Sequence, residues 1–421
     1  MRTSFTEKSW PVALGLLTAL QFLPEFISSY GVLLLAVVGV FVGFKRGWQA
    51  PTAPWLYALL LFFGWQLIGL VYSGDPKAGV EVLAMQFLLV LLPWQFFSLR
   101  QFDEKWLHTA FYVLWATALL ASALLFGFGL YRTFTYPDGN YAVNATFFLY
   151  YTGLTEPLMH PAYLSLLLVM AAVSAFWMRW QGFFRHRGYW VGQSWLLIFL
   201  LLISARMSLI AFVISVLWLV WYLGWRQGKK RLLVVSVLSM TLFVAAIFLV
   251  LPARLQQRFT ELSHLRYNIQ AESINDFSGL TIRLAEWEGV WVALQSDWLI
   301  GHGTGAGKAA LQMAYETLGF KVGLEHSYNA HNQFLETALS NGVLGFVMLL
   351  LLFSLAFYQA RKQQNWLAMW FLIFFFMCIQ TESMLIRHRG VLFFAIYLGL
   401  TMLAGRFSTS PQPSATDAAK T

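Results

Sequence analysis

The sequence predicts an all-α, polytopic integral membrane protein, and three observations carry that prediction. The 421 residues are 59% hydrophobic and only 11% charged, whereas about a quarter of the residues in soluble domains are charged. Apolar stretches of about 17–25 residues, the length that crosses a hydrocarbon core of about 30 Å, recur along nearly the whole chain. Runs such as Leu232 to Leu251 and Trp366 to Thr381 are almost continuously apolar, where a transmembrane barrel would alternate over segments of about ten residues.

About twelve spans follow from this pattern. Five stand before the first long connection: Pro11 to Ile27, Ser29 to Phe44, Ala53 to Tyr72, Gly79 to Phe97 and Trp106 to Phe128. The first follows Arg2 and Lys8 but lacks an Ala-x-Ala-like cleavage site, so it reads as an uncleaved anchor. Four more run from Pro161 to Met178, Tyr189 to Ser204, Ser208 to Trp225 and Leu232 to Leu251. The stretch from Tyr189 to Trp225 would be about 55 Å long as one helix, so it divides into two spans at a tight turn next to Arg206. The last three are Gln333 to Phe357, Trp366 to Thr381 and Gly390 to Leu403. The chain thus divides into residues 1–251 with nine spans, a loop at 252–332, spans 10–12 within 333–405 and a Ser/Thr/Pro/Ala-rich tail at 406–421 that is expected to be a disordered cytoplasmic end.

Charge gives the orientation. With the N-terminus in the cytoplasm, 17 of the 28 basic residues fall on cytoplasmic segments and five on short outer loops, and both termini stay inside. The formal charge of +9 therefore has a membrane explanation, and no nucleic-acid partner is implied. Two outer segments are too long to be connectors: Gly129 to His160, and the loop of about eighty residues after Pro252. Within the latter, Leu284, Trp287, Trp291 and Leu294 recur at helical spacing and predict an amphipathic helix that lays these four residues against the membrane-embedded body. The lone cysteine, Cys378, excludes an internal disulfide.

Several motifs lead away from a cofactor. Gly301 to Lys308 (GHGTGAGK) is similar to a phosphate-binding loop, but His302 stands where a glycine belongs and Ala309 where a Ser or Thr would hold magnesium. Its alternating glycines instead suit a close approach of backbone to a neighbour or a lipid head group. The carboxylates of the outer segments show no metal-ligand spacing, and Glu286 and Glu288 point to different faces of the predicted helix. No metal and no cofactor is expected.

Polar groups cluster instead where the long loop enters the tenth span, at His326, His331, Asn332 and Glu336. Such groups at the membrane surface mark a site. The positive end of the helix beginning there should disfavour an imidazolium at His331 and leave a neutral base. Arg206 reads either as a helix-end residue reaching lipid phosphate or as an anion ligand, and Arg283 either as a local partner of Glu286 and Trp287 or as a second ligand. Arg387 and Arg389 flank His388 at the last outer turn, as span-end anchors or as further cations.

These residues carry a resemblance. His331-Asn332, nine residues, then Gly342-Val343-Leu344-Gly345 resembles the His-Asn and Gly-x-x-Gly signature of the O-antigen ligase family. Ser204-Ala205-Arg206 is similar to its Ser-x-Arg element, and Arg283 to the arginine of its Arg-x-x-x-Leu element, with Trp287 in place of the leucine. The resemblance implies transfer of a polysaccharide from undecaprenyl diphosphate to the lipid A core oligosaccharide, at the periplasmic face of the bacterial inner membrane and among membrane lipids, without ATP or metal. His331 would be the general base, Arg206 and Arg283 would bind the diphosphate, and His326, Asn332, Arg387 and Arg389 would support them. Direct displacement would invert the anomeric carbon. An O-antigen polymerase or a protein O-oligosaccharyltransferase has a similar architecture and the same kind of donor. A lipid-linked sugar flippase or transporter would place its polar groups near the bilayer midplane.

Overall fold

In a computed structural model that describes residues 4–99, 102–136, 139–184, 187–226 and 267–407, every regular element is helical and no strand forms among these residues. The apolar stretches become α1 (Ser4–Leu20), α2 (Glu25–Arg46), α3 (Pro54–Val71), α4 (Pro76–Ser98) and α5 (Glu104–Thr135). Two short helices, α6 (Tyr141–Phe148) and α7 (Tyr151–Thr155), precede α8 (Pro161–Trp180), α9 (Gly188–Ile203) and α10 (Arg206–Arg226). The loop segment carries α11 (Gly279–Asp297), α12 (Gly307–Leu318) and α13 (Lys321–Glu325), and the chain continues through α14 (Gln333–Lys362), α15 (Trp366–Cys378) and α16 (His388–Phe407).

Eight of the described helices, α2 to α5, α8, α10, α14 and α16, are long and apolar enough to cross a membrane, and α1, α9 and α15 contribute shorter apolar stretches. The predicted span Leu232 to Leu251 lies outside the described residues, as do residues 252–266 of the predicted loop and the tail from residue 408.

Helix starts follow from local chemistry. Pro54, Pro76 and Pro161 sit in first turns, where no N–H is needed, while Asp75, Asp103 and Asn365 cap by accepting from the N–H groups of Ala78, Lys105 and Ala368. Between α9 and α10, Ser204 adopts a left-handed conformation (φ 48°, ψ 36°), which reverses the chain within two residues and sets Arg206 at the first position of α10. Helices α8 and α16 are buried almost throughout and form the centre of the bundle. Around them a phenylalanine cluster stacks, with the Phe375 and Phe394 rings 4.7 Å apart and Phe353, Phe371 and Phe393 about them. Helices α8, α14 and α16 end in Arg179, Arg361, Lys362 and Arg406, so one end of the bundle is basic and the loop segment covers the other.

Helix α14 is broken. Gly342 takes φ 66°, ψ −170°, a conformation open only to glycine, and the break frees carbonyls on one side and N–H groups on the other. The glycine-rich loop satisfies both. His302 and Gly303 donate their N–H groups to Leu339 O and Ser340 O (2.9 Å each), and Val343 and Leu344 donate to Trp298 O and Leu299 O (2.9 and 3.4 Å). Thr304 adds a bond from its N–H to Gly69 O of α3. The approach is too close for side chains, since a Cβ at Gly301 would lie 2.5 Å from Gly342 N, and one at Gly305 would lie 2.2 Å from Gly79 N. The alternating glycines thus serve backbone contact with neighbouring helices.

The loop segment has its own apolar core, in which Val290 of α11, Leu311 and Tyr315 of α12, and Phe320 meet. Helix α11 forms where periodicity predicts it, but with a different face inward. Trp291 is 71% and Leu284 39% exposed, whereas Ala285, Glu286, Gly289, Val290 and Ala293 are buried. The reason is close packing, because a Cβ at Gly289 would fall 2.4 Å from the Tyr315 ring, so only the small-residue stripe lets α12 approach.

Replacing Gly342 by Ala forces a side chain into both a glycine-only conformation and the Leu299 carbonyl, 2.1 Å from the new Cβ. We expect Gly342→Ala to destabilise the fold by about 1–3 kcal/mol or more. Gly64→Ala on α3, with nothing within 4 Å of its Cβ, should be neutral or stabilising by up to about 1 kcal/mol. Thermal unfolding of the two variants in detergent checks the contrast, and equal midpoints would contradict it.

Candidate active site

Four short stretches meet where the loop segment rests on the bundle. The α9–α10 turn supplies Arg206. Helix α11 supplies Arg283 and Glu286 from adjacent positions of one face, its start fixed by a reciprocal Ser278–Thr281 capping box. The segment before α14 supplies His331, and the connection from α15 supplies Thr381 and Glu382.

His331 is held by its backbone. Its N–H donates to Asn329 Oδ1 (2.8 Å), and the Ala330 N–H donates to Glu336 Oε2 (3.0 Å). Trp287 Nε1 donates to Ala330 O (3.0 Å), and Asn332 caps α14 by accepting from Phe334 N and Leu335 N while its Nδ2 donates to Gln380 O. Under these bonds His331 sits at φ 38°, a strained conformation for a residue with a Cβ and of the kind that gathers at functional sites.

The imidazole is paired. Its Nδ1 lies 2.9 Å from Oε1 of Glu286, a carboxylate with 0% exposure. An Nδ1–H donated to this carboxylate leaves Nε2 as the acceptor. Burial alone would lower the His331 pKa, but the Glu286 hydrogen bond and charge, joined by Glu382, outweigh it against Arg283, so the value stands above that of an ordinary histidine. This reverses the expectation of a helix-end imidazole shifted downward, because a buried anion in contact dominates a partial charge spread over a helix terminus. Burial likewise raises the Glu286 carboxyl, with His331 and Arg283 pulling it back.

Arg283 is aimed by its surroundings. Nε and Nη2 both donate to Thr381 O (3.2 Å each), Nη1 donates to Gly279 O (2.7 Å), and Nη2 lies 3.8 Å from Glu382 Oε1. The local pairing of Arg283 with Glu286 that sequence spacing suggested is thus replaced by bonds across the bundle. Arg283 and Arg206 line one cavity of about 350 Å³ together with Tyr151, His160 and Glu382, and its other wall is apolar, with Ile210, Leu280 and Met384. His160 caps α8 by accepting from Ala162 N, and burial holds its imidazole below the ordinary value, with His331 acting in the same direction against Glu382.

The supporting residues do not all converge. Asn332 orders the His331 segment, and His326 reaches it only through Tyr328, whose ring it stacks on at 5.2 Å and which meets the His331 ring edge-on at 5.7 Å. Arg389 pairs with Glu25 (3.5 Å) and donates to Gln21 O, while Arg387 lines a second cavity. Sequence reasoning missed Glu286 as a partner of His331, and also His160 and Glu382. Glu286 and His331 are 45 residues apart, and nothing local in the sequence joins them. His160 directly before Pro161 carried a usable signal, as a polar cap opening a span.

Residues 192–350, which hold most of α9, the Ser204 turn, Arg206, Arg283, Glu286, His331 and the Gly342 break, match the family model described as O-antigen ligase. No curated protein matches the chain. Most of the elements that build the site lie in the matched segment, with His160, Thr381 and Glu382 outside it, and over residues 192–350 the chain is similar to the O-antigen ligase family.

Proposed function

We propose that this protein transfers a polysaccharide from undecaprenyl diphosphate to a hydroxyl of the lipid A core oligosaccharide, with His331 as general base. The observation that carries the reading is the His331–Glu286 pair, 2.9 Å across, beside a cavity that holds two arginines. In the reaction the acceptor oxygen forms a bond to the donor's anomeric carbon as the bond from that carbon to the diphosphate oxygen breaks. The hydroxyl proton goes to His331 Nε2, and undecaprenyl diphosphate leaves with the electron pair. Displacement of this kind inverts the anomeric carbon.

Each partner has a physical reason. Glu286 is a positioning residue, which fixes the tautomer and stabilises the imidazolium as it forms. Arg206 and Arg283 present planar guanidinium donors that match a diphosphate, whose charge grows as it leaves. The apolar wall of the same cavity suits the first carbons of a polyprenyl chain. Diphosphate is already an activated leaving group, so neither ATP nor a metal ion is required. Read by the charge rule, the basic bundle end is the cytoplasmic one, which supports a site at the periplasmic face of the inner membrane with both termini inside as part of this proposal.

Purified protein, reconstituted with lipid-linked polysaccharide and lipid A core in the presence of EDTA and without ATP, should yield high-mass lipopolysaccharide on a gel. His331→Ala should lower the rate by about 10²–10⁴-fold. Lengthened lipid-linked chains with an untouched core would instead identify a polymerase.

The pH dependence has a definite sign. The base form of His331 predominates above its raised pKa, so kcat/KM should climb as pH increases through that value, with an inflection above about 6.5. Glu286→Gln removes the anion that holds the proton, so the inflection should move to lower pH while kcat falls by about 100-fold or more. An inflection unmoved by Glu286→Gln would disconnect His331 from the acid limb.

A further inference from the structure

A second cavity, of about 200 Å³, adjoins the His331 segment and differs in chemistry from the arginine-lined one. Nine of its sixteen lining residues carry an amide or a hydroxyl, among them Gln66 of α3, Gln86 of α4, Asn329 and Asn341. Gln66 and Gln86 are 3% and 2% exposed, yet Gln66 Nε2 and Gln86 Oε1 have no hydrogen-bond partner among the described residues. A buried amide atom left unpaired is costly, so two in one cavity wall point to a ligand that bonds them. At the same cavity stand two exposed cations, Lys308 from the glycine-rich loop and Arg387, neither of them in an ion pair among the described residues. Asn329 links the cavity to the base, because its Oδ1 accepts from the His331 N–H.

We propose that this cavity receives the acceptor, a sugar bearing an anionic substituent such as a phosphate, with Gln66, Gln86 and Asn329 bonding its hydroxyls and Lys308 and Arg387 meeting its anion. The assignment rests on the transferase reading above and adds the acceptor's place and chemical class to it. Many neutral donors and acceptors in a row suit the alternating hydroxyls of a sugar ring, each of which both gives and takes a hydrogen bond. The arginine-lined cavity is the more apolar of the two, and guanidinium groups beside apolar residues suit a lipid diphosphate. The segment from Tyr328 to Asn332 is coupled to both: Asn329 lines the amide-rich cavity, while the charges felt by His331 include Arg283 and Glu382 of the arginine-lined one. Arg387 and Lys308 thereby gain a role that neither a span-end anchor nor a phosphate-binding loop explains.

The test uses full-length protein in nanodiscs and soluble core oligosaccharide, phosphorylated or enzymatically dephosphorylated, as probe. Calorimetry should show the phosphorylated form binding about 10-fold or more tightly than the dephosphorylated one. The double variant Lys308→Ala/Arg387→Ala, confined to exposed side chains, should weaken the phosphorylated form by about 10- to 100-fold. In turnover the acceptor KM should rise by a similar factor while the donor KM holds. Gln86→Leu should weaken both forms alike. Anionic phospholipid added to the disc should leave the affinity within about twofold, whereas a parallel loss would assign the cations to lipid head groups and overturn the proposal. Unchanged acceptor affinity and KM in the double variant, or a rise in donor KM alone, would also overturn it. The two readings can fail separately. Phosphate-dependent binding through Lys308 and Arg387 without ligated product would sink the transferase reading and keep the cavity. Ligated product with an unaltered acceptor KM in the double variant would do the reverse.

Discussion

The break in α14 is the constraint on which the rest of the site end depends. A helix interrupted at membrane depth leaves backbone groups that lipid cannot satisfy, so the protein must supply partners for them. Here the loop from Trp298 to Thr304 does so from both sides, closing Leu339 and Ser340 below and Val343 and Leu344 above. That exchange holds the loop against α3 and α14 and sets Gly305 and Lys308 beside the amide-rich cavity. It also fixes the first half of α14, whose start carries Asn332 and whose Glu336 bonds the Ala330 N–H. The position of His331 is therefore set from within the bundle as well as from the loop.

The contact between His331 and Glu286 depends on that placement. Glu286 is fully buried on a helix whose inward stripe is otherwise Thr, Ala, Gly and Val, and a carboxylate there is tolerated only with a partner. One oxygen has the imidazole, while Oε2 has no hydrogen-bond partner among the described residues. The pair is consequently worth most as an oriented dyad: the cost of burying the carboxylate is offset only while the ring stays in place. The strained φ of His331 points the same way, since four side-chain hydrogen bonds around residues 330–332 hold a backbone that an isolated segment would relax.

What the sequence made legible was whatever depends on neighbours along the chain. Span positions followed from apolar length, the Ser204 turn from the impossibility of a helix of about 55 Å in a bilayer of about 30 Å, and His331 with Asn332 from polarity at a span start. The inward face of α11 was not legible, because hydrophobicity pointed to its tryptophans while packing selected its small residues, and Tyr315 lies outside any local window. Arg387 and Arg389 were read together, yet residues two apart at a helix start point to opposite sides. One lines a cavity and the other pairs with Glu25. The glycine-rich loop was legible as a backbone contact but not as the partner of Gly342, because two stretches 37 or more residues apart meet only after the bundle has formed.

The two cavities near the histidine segment also bear on stereochemistry. In a direct displacement the nucleophile and the leaving group must lie on opposite faces of the reacting carbon. A single pocket holding both sugars and both anions would have to discriminate between faces by loop motion alone. In the proposed reaction, with the diphosphate on Arg206 and Arg283 and the acceptor among the amides, that discrimination would be made by where each anion and each run of hydroxyls finds its partners. The base belongs on the acceptor side of the carbon, so His331 in that role would turn Nε2 toward the incoming hydroxyl while Glu286 secures Nδ1 behind it. Glu286 and Glu382 are paired with His331 and Arg283, which would lessen the negative charge that a diphosphate in this cavity meets.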